Sequence, residues 1–169
     1  MRNNRPAVEK IIRMKYIFLL IITAVSLGCG SCAKKETTCD PPQVTVPQEE
    51  LTRLTDFINS RNITAELDAR GFYYSIAAQG NGTHPSACAD VTVNYKGTLT
   101  NGATFDKREG SVFSLDGLVA GWRLGIPLIA AGGKITLYLP PSLGYGSSAS
   151  GSIPGNSILI FEIDLIAVN

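Results

Sequence analysis

The chain has 169 residues, of which 44% are hydrophobic and 17% charged, which leaves room for one ordinary domain with extra segments and excludes global disorder. The formal net charge is +1, but five basic residues (Arg2, Arg5, Lys10, Arg13, Lys15) against one acid (Glu9) precede Cys29. The remainder carries ten basic and thirteen acidic residues, a net of −3, which argues against a nucleic-acid partner.

The first element is an export signal. Arg13, Lys15 and the residues upstream form a positive segment, and Tyr16 to Leu27 is an apolar run too short to span a bilayer comfortably. The translation start is Met1 or Met14; Met14 opens the more typical signal. Ser26-Leu27-Gly28-Cys29 resembles the lipobox of bacterial lipoproteins, in which cleavage before the cysteine leaves a thiol that carries a diacylglyceryl group. Cys32 is the alternative lipidation site, and a plain cleaved signal or an anchoring helix is the alternative to lipidation. On this reading residues 1–28 are the signal peptide and 29–47 a lipidated tether, rich in polar residues with Pro41, Pro42 and Pro47. The remaining cysteines, Cys39 and Cys88, are an even pair that in an exported chain predicts a disulfide, with two free thiols as the alternative that a cytosolic chain would favour.

Residues 48–89 are expected to hold an N-terminal helix, a first strand and a loop. Leu51, Leu54, Phe57 and Ile58 recur at helical spacing behind Glu49-Glu50. Phe72 to Ile76 is strand-like, and Gln79 to Ala89 is a loop with Gly80, Gly82 and Pro85. Residues 90–169 read as the main domain. Val91, Val93 and Tyr95 alternate with polar residues, Asn101-Gly102 signals a hairpin between Leu99 and Phe105, and Val112 to Leu115 is a short strand. A short helix runs from Ala120 to Ile126 and is stopped by Pro127. Ile135, Leu137 and Leu139 alternate, Pro140 to Asn156 is a long glycine- and proline-rich loop, and Leu159, Phe161, Ile163 and Leu165 share one face of a last strand. Strands in hairpin order around one short helix predict an α+β fold: a curved antiparallel sheet with one face on the helix and the other in solvent. The long loop is the candidate lid.

The candidate site is aromatic. Trp122, the single tryptophan, opens the short helix in Val119-Ala120-Gly121-Trp122, and Tyr95, Phe105-Asp106, Tyr145 and Phe161 come from separate strands and a loop. No nucleophile–base pair or metal-ligand cluster accompanies them, and His84 with Cys88 lacks the further ligands zinc needs. The glycines from Gly144 to Gly155 have no phosphate-loop context. No metal and no cofactor is expected.

Val93-Asn94-Tyr95-Lys96-Gly97-Thr98-Leu99, Asn101-Gly102, Phe105-Asp106, Phe113-Ser114-Leu115, Val119-Ala120-Gly121-Trp122, Leu143-Gly144-Tyr145-Gly146, Ile153-Pro154 and Leu159-Ile160-Phe161 follow one another. Over about residues 70–169 their order and spacing resemble those of FKBP-type peptidyl-prolyl cis-trans isomerases. The resemblance implies a sheet wrapped around a short helix, with Trp122 as the pocket floor under a substrate proline. It implies walls from Tyr95, Phe105 and Phe161, a rim of Phe113, Leu118, Val119 and Ile153, donors in the Val119 N–H and the Tyr145 hydroxyl, and Asp106 beside the reacting amide. Two departures stand out. Ser111 occupies a position where the family often has an aromatic residue, and the loop tip is Ser147-Ser148-Ala149-Ser150. Together they imply a more open pocket and weaker macrolide binding.

Three functions follow. The first is a prolyl isomerase that assists the folding of exported proteins and binds their proline-containing segments. The second is a non-catalytic FKBP-like chaperone or scaffold that holds such segments. The third is a structural lipoprotein with the helix near Gln48 to Ser60 as its partner surface. All three place the chain at a bacterial cell envelope, lipid-anchored and facing periplasm or exterior; clients and oligomeric state stay open.

Overall fold

The computed structural model describes residues 39–169. The expected signal peptide, the choice between Met1 and Met14, and the expected lipidation at Cys29 or Cys32 lie outside the described residues. Helix α1 spans Gln48–Ser60 and the short helix α2 spans Ala120–Gly125. The strands are β1 (Glu66–Leu67), β2 (Tyr73–Ala78), β3 (Asp90–Leu99), β4 (Thr104–Ser114), β5 (Lys134–Leu139) and β6 (Leu159–Val168). They form one six-stranded sheet in the order β1-β2-β5-β6-β3-β4, every neighbouring pair antiparallel. The α+β class and the sheet around a short helix are as expected.

Hairpin order is not. The tight hairpin is β3–β4, whereas β2 pairs with β5, and β6 lies between β5 and β3. Alternation reports which face a residue occupies but not which strand it will neighbour. The expected strand Val112–Leu115 is the end of a longer one that stops at Ser114, with Leu115 opening a 3₁₀ turn, because Lys107 and Arg108 continue the ladder against β3 across a register shift. Asn94 Oδ1 accepts from the Gly110 N–H at 2.7 Å where the register shifts, and Gly110 has φ +60°. The charged run also blunts β4 as an edge strand. Helix α2 ends at Gly125, and Ile126–Leu128 continues as a 3₁₀ turn.

The core lies on the inner face, where Val91, Val93, Ile135, Leu137, Leu139, Leu159, Ile163 and Leu165 are buried. Helix α2 approaches closely because Gly121 and Gly125 lack side chains. A Cβ at Gly121 would sit 2.3 Å from Leu139 Cδ1, and one at Gly125 would sit 2.5 Å from Leu137 Cδ2. The outer face is partly covered. Register puts Tyr73, Tyr138, Ile160 and Thr98 in one row on the face opposite Leu137. The Thr55 hydroxyl of α1 lies 3.2 Å from the Tyr73 hydroxyl in this row. Leu54 and Ile58 share the Thr55 face of the helix and are buried. Ahead of α1, Val44 and Val46 pack on the core.

Cys39 and Cys88 are free thiols in this structure. A hydrogen bond to the Cys88 side chain is the main influence on the Cys39 thiol and pushes its pKa up. Among the described residues no helix is long and apolar enough to cross a membrane.

Candidate active site

A pocket of about 210 Å³ opens where β3, β4, α2 and the long loop meet. It is lined by Tyr95, Phe105, Asp106, Arg108, Phe113, Leu118, Val119, Trp122, Tyr145 and Phe161. Trp122 is buried at the floor, and three rings meet it edge-on: Tyr95 at 5.1 Å and 85°, Phe161 at 5.3 Å and 88°, and Phe113 at 6.1 Å and 88°. Phe105 stands at 88° to Phe161, 5.5 Å away. These T-shaped contacts lock each ring through its neighbours. Gly97 makes the wall possible, because a Cβ there would lie 2.5 Å from the Phe105 ring.

The polar side of the pocket is a relay. The Tyr95 hydroxyl donates to Asp106 Oδ2. Asp106 Oδ1 lies 3.7 Å from Arg108 Nε. Burial, then the hydrogen bond to Asp106 and its negative charge, push the Tyr95 pKa up to about 12, so the phenol stays a donor at any physiological pH. Val119 is the N-cap of α2, the position where helical backbone N–H groups lack intrahelical acceptors. Tyr145 reaches the mouth from the long loop and is 44% exposed. The site therefore offers an apolar floor and walls, with donors and one carboxylate on one side. It can hold a ring and a carbonyl and can perturb an amide without any bond being broken.

Every expected pocket residue except Ile153 lines the cavity. Ile153 is 6% exposed and belongs to the core, where its backbone bridges to Ser150 and braces the loop. Arg108 is the lining residue that sequence reasoning missed. Its signal was the two-residue spacing from Asp106, which puts both on one face of a strand. A charged run ending in glycine hides that strand. The loop tip, Ser147 to Ser150, is exposed and does not line the pocket.

The family model for FKBP-type peptidyl-prolyl cis-trans isomerase matches residues 82–166. The chain belongs to that family. Among curated relatives, the FKBP-type peptidyl-prolyl cis-trans isomerase FkpA of Aeromonas hydrophila is 38% identical over 114 residues, 65% of this chain and 42% of that protein. FkpA of Escherichia coli K12 is 42% identical over 107 residues, 61% of this chain and 40% of that protein. The matched region thus spans about two fifths of those relatives' lengths. The crystal structure of FkpA from Escherichia coli superposes with a TM-score of 0.66 at 34% identity, covering 72% of this chain and 60% of that one. A peptidyl-prolyl cis-trans isomerase from Pseudomonas syringae pv. tomato gives a TM-score of 0.64 at 30% identity, covering 75% of this chain and 99% of that one. The FKBP family match begins after α1 and β2, so the segment that covers the outer sheet face lies outside it.

Proposed function

We propose that this chain is a peptidyl-prolyl cis-trans isomerase acting on proline-containing segments of exported proteins. The observation that carries the reading is Trp122 set as a floor inside three edge-on rings, beside the Tyr95–Asp106 pair. The rotation barrier of the amide is about 18–20 kcal/mol because resonance keeps it planar. The two X–Pro isomers differ by only about 0.5–1 kcal/mol, so lowering the barrier is the whole task. The proline ring stacks on Trp122, between Phe105 and Phe161. Twisting removes resonance and makes the carbonyl less dipolar, so a water-poor aromatic cavity disfavours the planar amide more than the twisted one. The Val119 N–H and the Tyr145 hydroxyl hold the substrate carbonyls. Asp106 lies against the rotating amide, with Tyr95 and Arg108 fixing its orientation. Only stabilisation that grows in the twisted state speeds the reaction.

An apolar run ending at Cys29 supports lipidation there, with Cys32 as the alternative, residues 29–47 as a tether and the catalytic core over residues 90–169. The chain then sits at the cell envelope on a lipid anchor. Two remaining cysteines in an exported chain, with the Cys88 side chain as the main influence on the Cys39 thiol, support a disulfide in an oxidising compartment.

The test is the cis-to-trans rate of a short X–Pro peptide with residues 33–169, against the Asp106→Ala, Trp122→Ala double variant. The expected result is strong acceleration by the wild type, lost in the variant. A folded wild type that accelerates nothing yet binds the peptide would replace the isomerase with the chaperone or scaffold reading.

A further inference from the structure

The Tyr145 loop is gripped from outside the FKBP core. Glu50, in the first turn of α1, accepts the Ser142 backbone N–H at Oε2, 2.8 Å away and 92 residues along the chain. Ser142 lies in the 3₁₀ turn Pro141–Leu143 that opens the loop. The carbonyl of Pro141 accepts from the N–H groups of Gly144 at 2.9 Å and Gly146 at 2.8 Å, the residues on either side of Tyr145. Arg53, on the same helix, borders a cavity of about 330 Å³ whose other wall includes Pro154, Asn156, Ser157 and Ile158 on the loop's returning arm.

The loop itself is stiff between its stems. The Asn156 N–H donates to the Gly146 carbonyl at 2.9 Å, and Ser150 and Ile153 exchange backbone hydrogen bonds. A Cβ at Gly155 would lie 2.1 Å from the Ser147 carbonyl oxygen. A stiff loop moves as a unit about its stems, so whatever fixes a stem fixes Tyr145. The Tyr145 ring is 44% exposed and gains little position from packing. Its placement comes from the backbone, and the backbone of the first stem is tied to Glu50.

We propose that Glu50 is a positioning residue for the isomerase: α1 splints the loop so that the Tyr145 hydroxyl stands over the pocket. The kinetic part rests on the isomerase reading above; the positioning part does not. A charge-assisted bond to a backbone N–H is among the stronger hydrogen bonds and has a defined geometry. A 1 Å misplacement at the site can cost about 100-fold in rate, so a shift of about half that is expected to cost about tenfold.

The test uses the full chain with Glu50→Met, which removes the acceptor at similar size, and Glu50→Gln, which keeps a carbonyl acceptor. Amide hydrogen exchange is followed across residues 140–156 and, as a reference for global stability, across α2 and β5. The expected result is faster exchange at Ser142, Gly144 and Gly146 in Glu50→Met, with α2 and β5 unchanged and Glu50→Gln close to wild type. In the X–Pro assay, kcat/KM falls about tenfold in Glu50→Met and largely recovers in Glu50→Gln. In a Tyr145→Phe background the Glu50→Met loss shrinks to about twofold or less, because the hydroxyl it positions is gone. Unchanged loop exchange in Glu50→Met overturns the proposal, as does an equal rate loss in both backgrounds. Faster loop exchange in Glu50→Met, with a wild-type chain that accelerates no peptide, supports the splint and overturns the isomerase reading instead.

Discussion

Tyr95 joins the two halves of the pocket: its ring is an aromatic wall against Trp122, and its hydroxyl donates to Asp106. Burial first, and Asp106 second, push its pKa up to about 12, against about 10 for an unfolded tyrosine. The folded state therefore holds this proton where the unfolded state has released it. The stability this supplies is fully present below about pH 10 and is lost as pH rises toward about 12. Urea midpoints at about pH 9 and about pH 11.5 test it. Tyr95→Phe should lose part of the alkaline drop seen in wild type while keeping the ring contact with Trp122. An identical drop in both proteins would assign the alkaline loss to other groups. At this scale the sequence named nine of the ten lining residues, because family motifs fix residue types at sites. Ile153, expected on the rim, lies in the core instead of lining the cavity, because the side of an apolar loop residue depends on how the loop folds back.

At the scale of elements, the two glycines of α2 decide how closely the pocket floor sits on β5. Gly121 faces Leu139 and Gly125 faces Leu137 at distances no Cβ tolerates, and both leucines are fully buried. Gly121→Val should therefore destabilise the domain by about 1–3 kcal/mol through overpacking, more than any gain from replacing a helical glycine. A urea titration measures the loss, and Trp122 fluorescence should shift as the floor lifts from the sheet. A variant as stable as wild type would show that β5 yields at no cost. Helix α1 was legible from Leu51, Leu54, Phe57 and Ile58 at helical spacing. Its place on the outer sheet face was not, because an amphipathic stripe specifies a buried side but not the surface that buries it.

For the whole molecule, the segment from Val44 to Ser60 packs on the domain at separate points: the core through Val44 and Val46, and the loop stem through Glu50. Closing Cys39 to Cys88 joins chain ends about 50 residues apart, and loop entropy predicts about 3–4 kcal/mol of added stability. The oxidised domain should thus melt above the reduced one, and Cys39→Ser should melt at the reduced temperature under either condition. Equal melting of oxidised and reduced wild type would mean that the bond does not form or that strain cancels its benefit.

The sequence alone determined the two helices, strands β2, β3, β5 and β6, the burial side of β3, β5 and β6, and the residue types of the pocket. Those depend on local periodicity, on turn chemistry at Asn101-Gly102 and on motifs whose order survives without coordinates. Only the tertiary structure decided that β2 lies beside β5, that β4 runs unbroken and brings Arg108 to Asp106, and that Glu50 reaches Ser142 across 92 positions. Strand neighbours and long-range hydrogen bonds depend on how separate faces meet, and a face read along one segment carries no address for its partner.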